Sequence, residues 1–145
     1  MRIDFRPCPR GEWEKFRRYH YLNGELHRAA ECHGAYFGDQ IVAFHATMHF
    51  PHATSAKMKR GHRLVVLPDW QGVGIGPELA AAVARSYVEK GYRFFSTSSS
   101  VAFIRAMQRA PHWRLRRFGH TARAAGTVKF HRDRVRTATF EFVLA

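Results

Sequence analysis

Apolar and polar positions alternate most regularly between residues 42 and 50. Val42, Phe44, Ala46, Met48 and Phe50 predict one face of a strand, and Ala43, His45, Thr47 and His49 the other. Pro51 closes it. Ala29 to Phe37 predicts the strand before it, with Gly38-Asp39 as a tight turn between the two, and His62 to Leu67 predicts the strand after it, stopped by Pro68. Ile3 to Phe5 opens a short strand that Pro7 and Pro9 end. Elsewhere the period changes to that of a helix. Trp13, Phe16 and His20, with Glu12 and Glu14 in the first turn, predict a helix ended by Asn23-Gly24. Leu79, Val83 and Tyr87 stripe a longer helix over Pro77 to Lys90, with Pro77 suited to its first position and Gly91 to its stop. Tyr92 to Thr97 reads as a strand, and Ser99 or Ser100 caps a helix running to about Ala110, before Pro111. Trp113 to Phe118 and Thr137 to Leu144 complete the set as strands, with Ala138, Phe140, Phe142 and Leu144 on one face of the last. The order β-α-β-β-β-α-β-α-β-β predicts an α/β (α+β) fold with a mixed, largely antiparallel sheet. No repeat or linker divides the chain, so one domain over residues 1–145 is expected.

Composition adds a core and a charge. Hydrophobic residues are 46% and aromatics 14%, which excludes wholesale disorder. No apolar run approaches the ~18 residues of a membrane-spanning helix. Residues Met1 to Pro7 lack the apolar stretch of a signal peptide, and two cysteines, Cys8 and Cys32, do not make a disulfide scaffold, so a cytoplasmic protein is expected. With 24 Lys+Arg against 11 Asp+Glu the net charge is +13. Such an excess attracts polyanions, whether nucleic acid, a phosphorylated cofactor or acidic lipid heads, or else serves solubility alone. From Val101 onward the cations are Arg105, Arg109, Arg114, Arg116, Arg117, Arg123, Lys129, Arg132, Arg134 and Arg136, opposed only by Asp133 and Glu141. Arginine suits bidentate phosphate contacts, and the interleaving in Trp113-Arg114-Leu115-Arg116-Arg117-Phe118 marks a folded basic face rather than a tail.

The chemistry concentrates between the third long strand and the long helix, in Leu64-Val65-Val66-Leu67-Pro68-Asp69-Trp70-Gln71-Gly72-Val73-Gly74-Ile75-Gly76. Glycines there let the backbone turn sharply and bring amide hydrogens close to a ligand, and the following helix adds its positive dipole end. Strand, glycine loop and helix N-terminus together make a phosphate cradle. A dinucleotide fingerprint fits poorly, because the acidic residue expected about twenty positions on is missing. A Walker A loop is excluded, because no Gly-Lys-Ser/Thr follows.

Gln71-Gly72-Val73-Gly74-Ile75-Gly76, preceded by the Leu-x-Val-x-Pro of Leu64 to Pro68, resembles the Gln/Arg-x-x-Gly-x-Gly/Ala motif of the GCN5-related N-acetyltransferases (GNAT). The specific part of the resemblance covers roughly residues 62–118. It implies a six- to seven-stranded sheet flanked by three to four helices, and an acyl-CoA-dependent N-acetyltransferase acting on an amine. It implies that the amides of Gln71, Gly72, Val73, Gly74, Ile75 and Gly76 bind the pyrophosphate of acetyl-CoA. Backbone groups of Leu64, Val65 and Val66 would meet the pantetheine and thioester, and Ser100 and Phe103 would lie against the cofactor at the last helix. The family often places an Asn early in that helix and a Tyr about seven residues later as the general acid. Their counterparts here are Ser100, which can cap the helix and hydrogen-bond a ligand, and Met107, which cannot donate a proton.

Proton chemistry therefore needs other candidates. Tyr19-His20-Tyr21 holds three polar-tipped rings together; His20 can serve as a base for an amine, with Tyr21 beside it, or the rings simply complete a buried stripe. The His-Tyr pair also resembles, briefly, the phage Mom family of DNA-modifying proteins, which joins the charge in suggesting a DNA or RNA substrate. His62, at the start of the motif strand, is a candidate base or acceptor contact. His45 and His49 are too far apart along a strand, ~13 Å, to share a metal, and read as exposed strand positions or the lining of an acceptor groove. No metal is expected. Glu25 and Glu31 are candidate carboxylate bases acting through water, and Cys32 a packed thiol. Arg105 and Arg109, one turn apart, can reach CoA phosphates or a nucleic-acid backbone, or form a solvated face. A basic nucleic-acid-binding module without catalysis is the competing reading. A monomer or homodimer fits either.

Overall fold

Alternating segments become strands, and the order in which they pair opens a gap in the sheet. The computed structural model describes residues 2–20, 24–50, 57–120 and 136–144. Strands β1 (Asp4–Pro7), β2 (Glu31–Phe37), β3 (Gln40–His49), β4 (Met58–Val66), β5 (Arg93–Ser98), β6 (Trp113–His120) and β7 (Arg136–Phe142) form one seven-stranded sheet in the order β1-β2-β3-β4-β5-β7-β6. Every neighbouring pair is antiparallel except β4 and β5. Those two are joined by helix α1 (Ile75–Val88), and α2 (Val101–Arg109) links β5 to β6. The mixed, largely antiparallel sheet is the one expected.

Each face of the sheet carries its own core. On one, Leu79, Val83, Ala84 and Tyr87 of α1 and Ile104 and Met107 of α2 pack on Ala35, Ala43, Phe94, Phe140 and Phe142. On the other, Trp13 and Phe16 cover Ile41, Phe44, Ala46 and Val65. Strand β3 lies between them and is buried on both sides, which the alternation of its side chains conceals. His45, expected at the surface, is 2% exposed and Thr47 fully buried, whereas His49 is exposed. Leu144 lies past the end of β7 and is exposed rather than sharing its buried face.

The helix expected after Glu12 is instead a pair of 3-10 turns, Arg10–Lys15 and Arg17–Tyr19. Trp13 and Phe16 are three residues apart, a spacing that eclipses on the tighter 3-10 spiral and serves one buried stripe equally well. The Trp13 indole donates to the Gly24 carbonyl at 2.8 Å, which ties the following segment back onto this layer.

Candidate functional site

Strands β4 and β5 begin as neighbours and then part. Met58, Lys59 and Arg60 pair with Arg93, Phe94 and Phe95, but β4 runs on to Val66 and β5 to Ser98 without further pairing. The flanking strands β3 and β7 stay paired along their outer sides, so the separation is a V-shaped fork with backbone edges on both walls. Such edges inside a sheet present amide and carbonyl groups to whatever enters. Leu64, Val65 and Val66 form one wall. At the vertex β4 carries a β-bulge: Ala46 pairs with Arg63 and Thr47 with Gly61, leaving His62 as the extra residue. A bulge of this kind ends regular pairing and re-aims a side chain.

The mouth of the fork is closed by the glycine loop. Pro68–Trp70 makes one 3-10 turn, and the Gln71 side chain donates to the Val66 carbonyl at 2.9 Å, binding the loop to the strand before it. Gly72 and Gly74 have φ of +85° and +87°, conformations that L side chains rarely adopt. Gly74 is the N-cap of α1 and supplies no side-chain cap, so the amides of Ile75 and Gly76 begin the helix uncapped by a side chain. Gly76 packs on β4, with its position for a Cβ 3.3 Å from Val66, so a larger residue there would push helix from strand. Val73 is exposed and Ile75 buried. Backbone turn, helix dipole and lack of side chains make this end fit a diphosphate. Ser100 caps α2 by accepting from the Phe103 amide at 3.3 Å, and Phe103 is half-buried beside it. Met107 is core, 1% exposed, so this position offers neither proton donor nor open contact.

On the Trp13 side of the vertex three histidines gather. The His62 ring lies 6.3 Å from that of His27 and its Nε2 accepts from the His27 backbone amide at 3.3 Å. Its Nδ1 is 3.3 Å from Arg63. Burial, then Arg63, His27, Arg60 and His20, push its pKa down to about 4. His62 is therefore neutral near pH 7, and since a donor faces each ring nitrogen its single lone pair is taken by one of them, which with the low pKa argues against its use as a base. His20 is half-buried with its ring 6.1 Å from Trp13, and it is close enough to His62 to repel a proton there. The structure thus brings His20 and His62 together; Tyr21 lies outside the described residues. Arg63 bridges the cluster by donating to the carbonyls of His62 and Glu25, each at 3.0 Å.

Of the carboxylates, Glu31 is held by Lys59 at 2.8 Å and by the Tyr87 hydroxyl at 3.0 Å, and Lys59 lowers its pKa. Lys59 and Tyr87 are the residues that sequence patterning misses: one falls between the strands predicted to end at Phe50 and to begin at His62, though β4 includes it, and the other belongs to a core stripe. Nothing in their spacing announces that they meet Glu31. Cys32 is half-buried, and burial raises its pKa. Arg105, Arg109, Arg114, Arg116 and Arg117 are all exposed, as a basic face requires. Arg116, however, shares the buried Glu141 with Arg93, at 3.0 and 2.8 Å, so part of that charge is neutralised internally. Arg123, Lys129, Arg132 and Arg134 lie outside the described residues. Among the described residues no cluster of His, Cys, Asp or Glu could hold a metal, and no helix is long and apolar enough to cross a membrane.

Comparison with known proteins places these features together. The chain is similar in structure to a Bacillus subtilis acetyltransferase in complex with CoA (TM-score 0.67, 13% identity, 99% of each chain covered). It is also similar to a GNAT family acetyltransferase from Elizabethkingia anophelis with acetyl-CoA bound (TM-score 0.71, 14% identity, 98% of each chain). A third likeness is to the ribosomal-protein-S18-alanine N-acetyltransferase of Escherichia coli (TM-score 0.70, 10% identity, 97% of this chain and 93% of that one). No curated protein matches it by sequence. The model of the acetyltransferase (GNAT) family matches residues 1–110, and the chain belongs to that family.

Proposed function

We propose that this protein transfers an acetyl group from acetyl-CoA to an amine at the vertex of the β4–β5 fork. The observation that carries the reading is the fork itself: two parallel strands that part after Arg60 and Phe95, with a glycine loop and the start of α1 at its mouth. Solved members of the family with CoA or acetyl-CoA bound support it. When bound, the carrier supplies a thioester carbonyl as the electrophile. The residues that would hold it are Gln71 to Gly76 at the diphosphate, Leu64 to Val66 along the arm, and Ser100 and Phe103 on the opposite wall. Amides of β4 beyond Arg60 have no strand partner on the fork side, so they can donate to an oxygen that gains charge during transfer. The cluster of His20, His27, His62 and Arg63 walls the opposite entrance, where an amine would arrive.

A nucleic-acid-associated amine is the second reading of the acceptor, supported by the exposed Arg105, Arg109 and Arg117 on one sequence-continuous region. The Mom resemblance rests only on His20 and Tyr21 and adds no argument of its own.

Gly74→Asp tests the carrier site. Asp tolerates a positive φ better than most residues and suits an N-cap, so the fold should persist while its charge opposes a diphosphate. Calorimetry should show acetyl-CoA affinity reduced by about tenfold or more, the order expected for one misplaced charge. Gly74→Asn should lose much less. Equal affinities for Gly74→Asp, Gly74→Asn and the natural protein would sink the proposal.

A further inference from the structure

His45 is a buried imidazole at the vertex of the fork, and it ends a chain of polar groups that crosses the helix-covered core. Gly61 of β4, the register partner of Thr47, has no side chain; a Cβ built there would lie 3.4 Å from His45 Nε2 and 3.7 Å from Ser96 Oγ of β5. His45 Nε2 thus faces the small space between the two strands at the point where they part. Its other nitrogen, Nδ1, is 3.3 Å from Thr47 Oγ1. The Thr47 hydroxyl also lies near enough to Tyr87 to hold its pKa down, as a donor to the phenol oxygen does, and the Tyr87 Oη is 3.0 Å from Glu31 Oε1. Glu31 is half-exposed and paired with Lys59.

The direction of every hydrogen in this chain follows from its last member. An ionised carboxylate only accepts, so Tyr87 must donate its one proton to Glu31. Tyr87 can then only accept from Thr47, and Thr47, its proton used, can only accept from Nδ1 of His45. A neutral ring carries one N–H, which leaves Nε2 bare and turned to the vertex.

Resting on the transferase reading above, we infer that Glu31, Tyr87, Thr47 and His45 form a proton wire that draws a proton out of the fork to the protein surface. As the amine nitrogen bonds to the acyl carbon, its N–H bond breaks and the proton joins Nε2, while the Nδ1 proton passes to Thr47. The Thr47 proton passes to Tyr87 and the Tyr87 proton to Glu31, which releases it to solvent. The carbon–sulfur bond breaks with its electron pair on sulfur, and the thiolate takes a proton from solvent. Once the products leave, water entering the fork removes the Nε2 proton while Glu31, Tyr87 and Thr47 pass one back to Nδ1, which restores the resting tautomer. His45 gains one proton as it loses another, so it never holds two. That matters, because burial first, then His33 and His62, push its pKa down to about 3 and make imidazolium inaccessible at neutral pH. The charged and titratable groups around the wire are Glu31 and His33 on β2, Lys59 and His62 on β4, and Tyr87 and Lys90 near the end of α1. His45 takes a place in proton handling that Met107 cannot fill, although it accepts where a tyrosine acid would donate.

Long-range proton–nitrogen NMR of the histidine rings tests the wire apart from activity. His45 should show a protonated Nδ1 and a bare Nε2, and its Nε2 signal should move when acetyl-CoA is added. Thr47→Val, nearly isosteric, should release the tautomer and lower kcat by about 100-fold, the usual worth of positioned proton transfer, with the KM for acetyl-CoA unchanged. Thr47→Ser should restore both, and Tyr87→Phe, which keeps the ring packed on Phe94, should behave like Thr47→Val. A protonated Nε2 in the natural protein, or an Nε2 signal indifferent to bound acetyl-CoA, overturns the wire and leaves the transferase reading standing. Failure of calorimetry to detect any acetyl-CoA binding overturns the transferase reading itself.

Discussion

Histidine protonation is the residue-level property with the widest consequences. His45 is neutral in the folded protein because burial pushes its pKa to about 3, whereas an unfolded chain protonates it near the ordinary value of ~6.5. Below that value the unfolded state binds the extra proton, so the stability that the neutral ring contributes is present above about pH 6.5 and declines as pH falls toward 3. His33 and His62 shift in the same direction. Glu31 and Glu141, both lowered by ion pairs, lose their contributions only further down, as they become protonated. The interval from about pH 6.5 to 4.5 therefore isolates the histidines. Urea midpoints measured across it should fall with pH, and His45→Gln should flatten the slope by up to roughly 1.4 kcal/mol per pH unit, the limit for one proton. An unchanged slope would mean that His45 is accessible to protons in the folded state.

The element that decides function is the fork, and it shows why some of this protein can be read from sequence and some cannot. Gln71 to Gly76 is legible because the glycines, Pro68 and Pro77 act locally: each constrains its own backbone, whatever packs nearby. The strands are legible for a similar reason, since alternation and proline stops are local. The burial of His45 is not, because it depends on α1 covering one face of β3 while Trp13 and Phe16 cover the other. The bulge at His62 is likewise a mismatch between two strands and leaves no mark on either alone. Trp13 and Phe16 illustrate a third limit: three-residue spacing serves a 3-10 turn as well as an α-helix. Gly61 tests the vertex directly. Gly61→Ala should fold at least as stably, since alanine restricts the unfolded chain by about 0.4–1 kcal/mol and its methyl meets only ordinary contact distances. That methyl stands between His45 Nε2 and the fork, so kcat should fall by about tenfold or more while acetyl-CoA affinity holds. A kcat equal to that of the natural protein would show that the reacting groups meet elsewhere.

Charge belongs to the whole molecule, and its two possible uses separate by ionic strength. A net +13 draws any anion toward the surface, including a carrier with a diphosphate, and that steering alone gives a faster association at low salt. A nucleic-acid acceptor demands more: a footprint of several phosphates, each releasing counterions on binding. Arg116 cannot count fully toward such a footprint, because Glu141 already holds it together with Arg93. Arg105, Arg109 and Arg117 can, as exposed cations. Binding to a short DNA duplex, measured from low to moderate salt, should then weaken linearly on a log–log plot. Changing those three arginines to glutamine should make the slope shallower by about 0.9 for each phosphate that is no longer neutralised. Acetyl-CoA affinity should stay within about twofold, since screened surface charges act weakly on a ligand gripped by backbone amides. A duplex that fails to bind at low salt, or a slope untouched by the substitutions, would assign the basic face to steering and solubility and leave the acceptor a free amine.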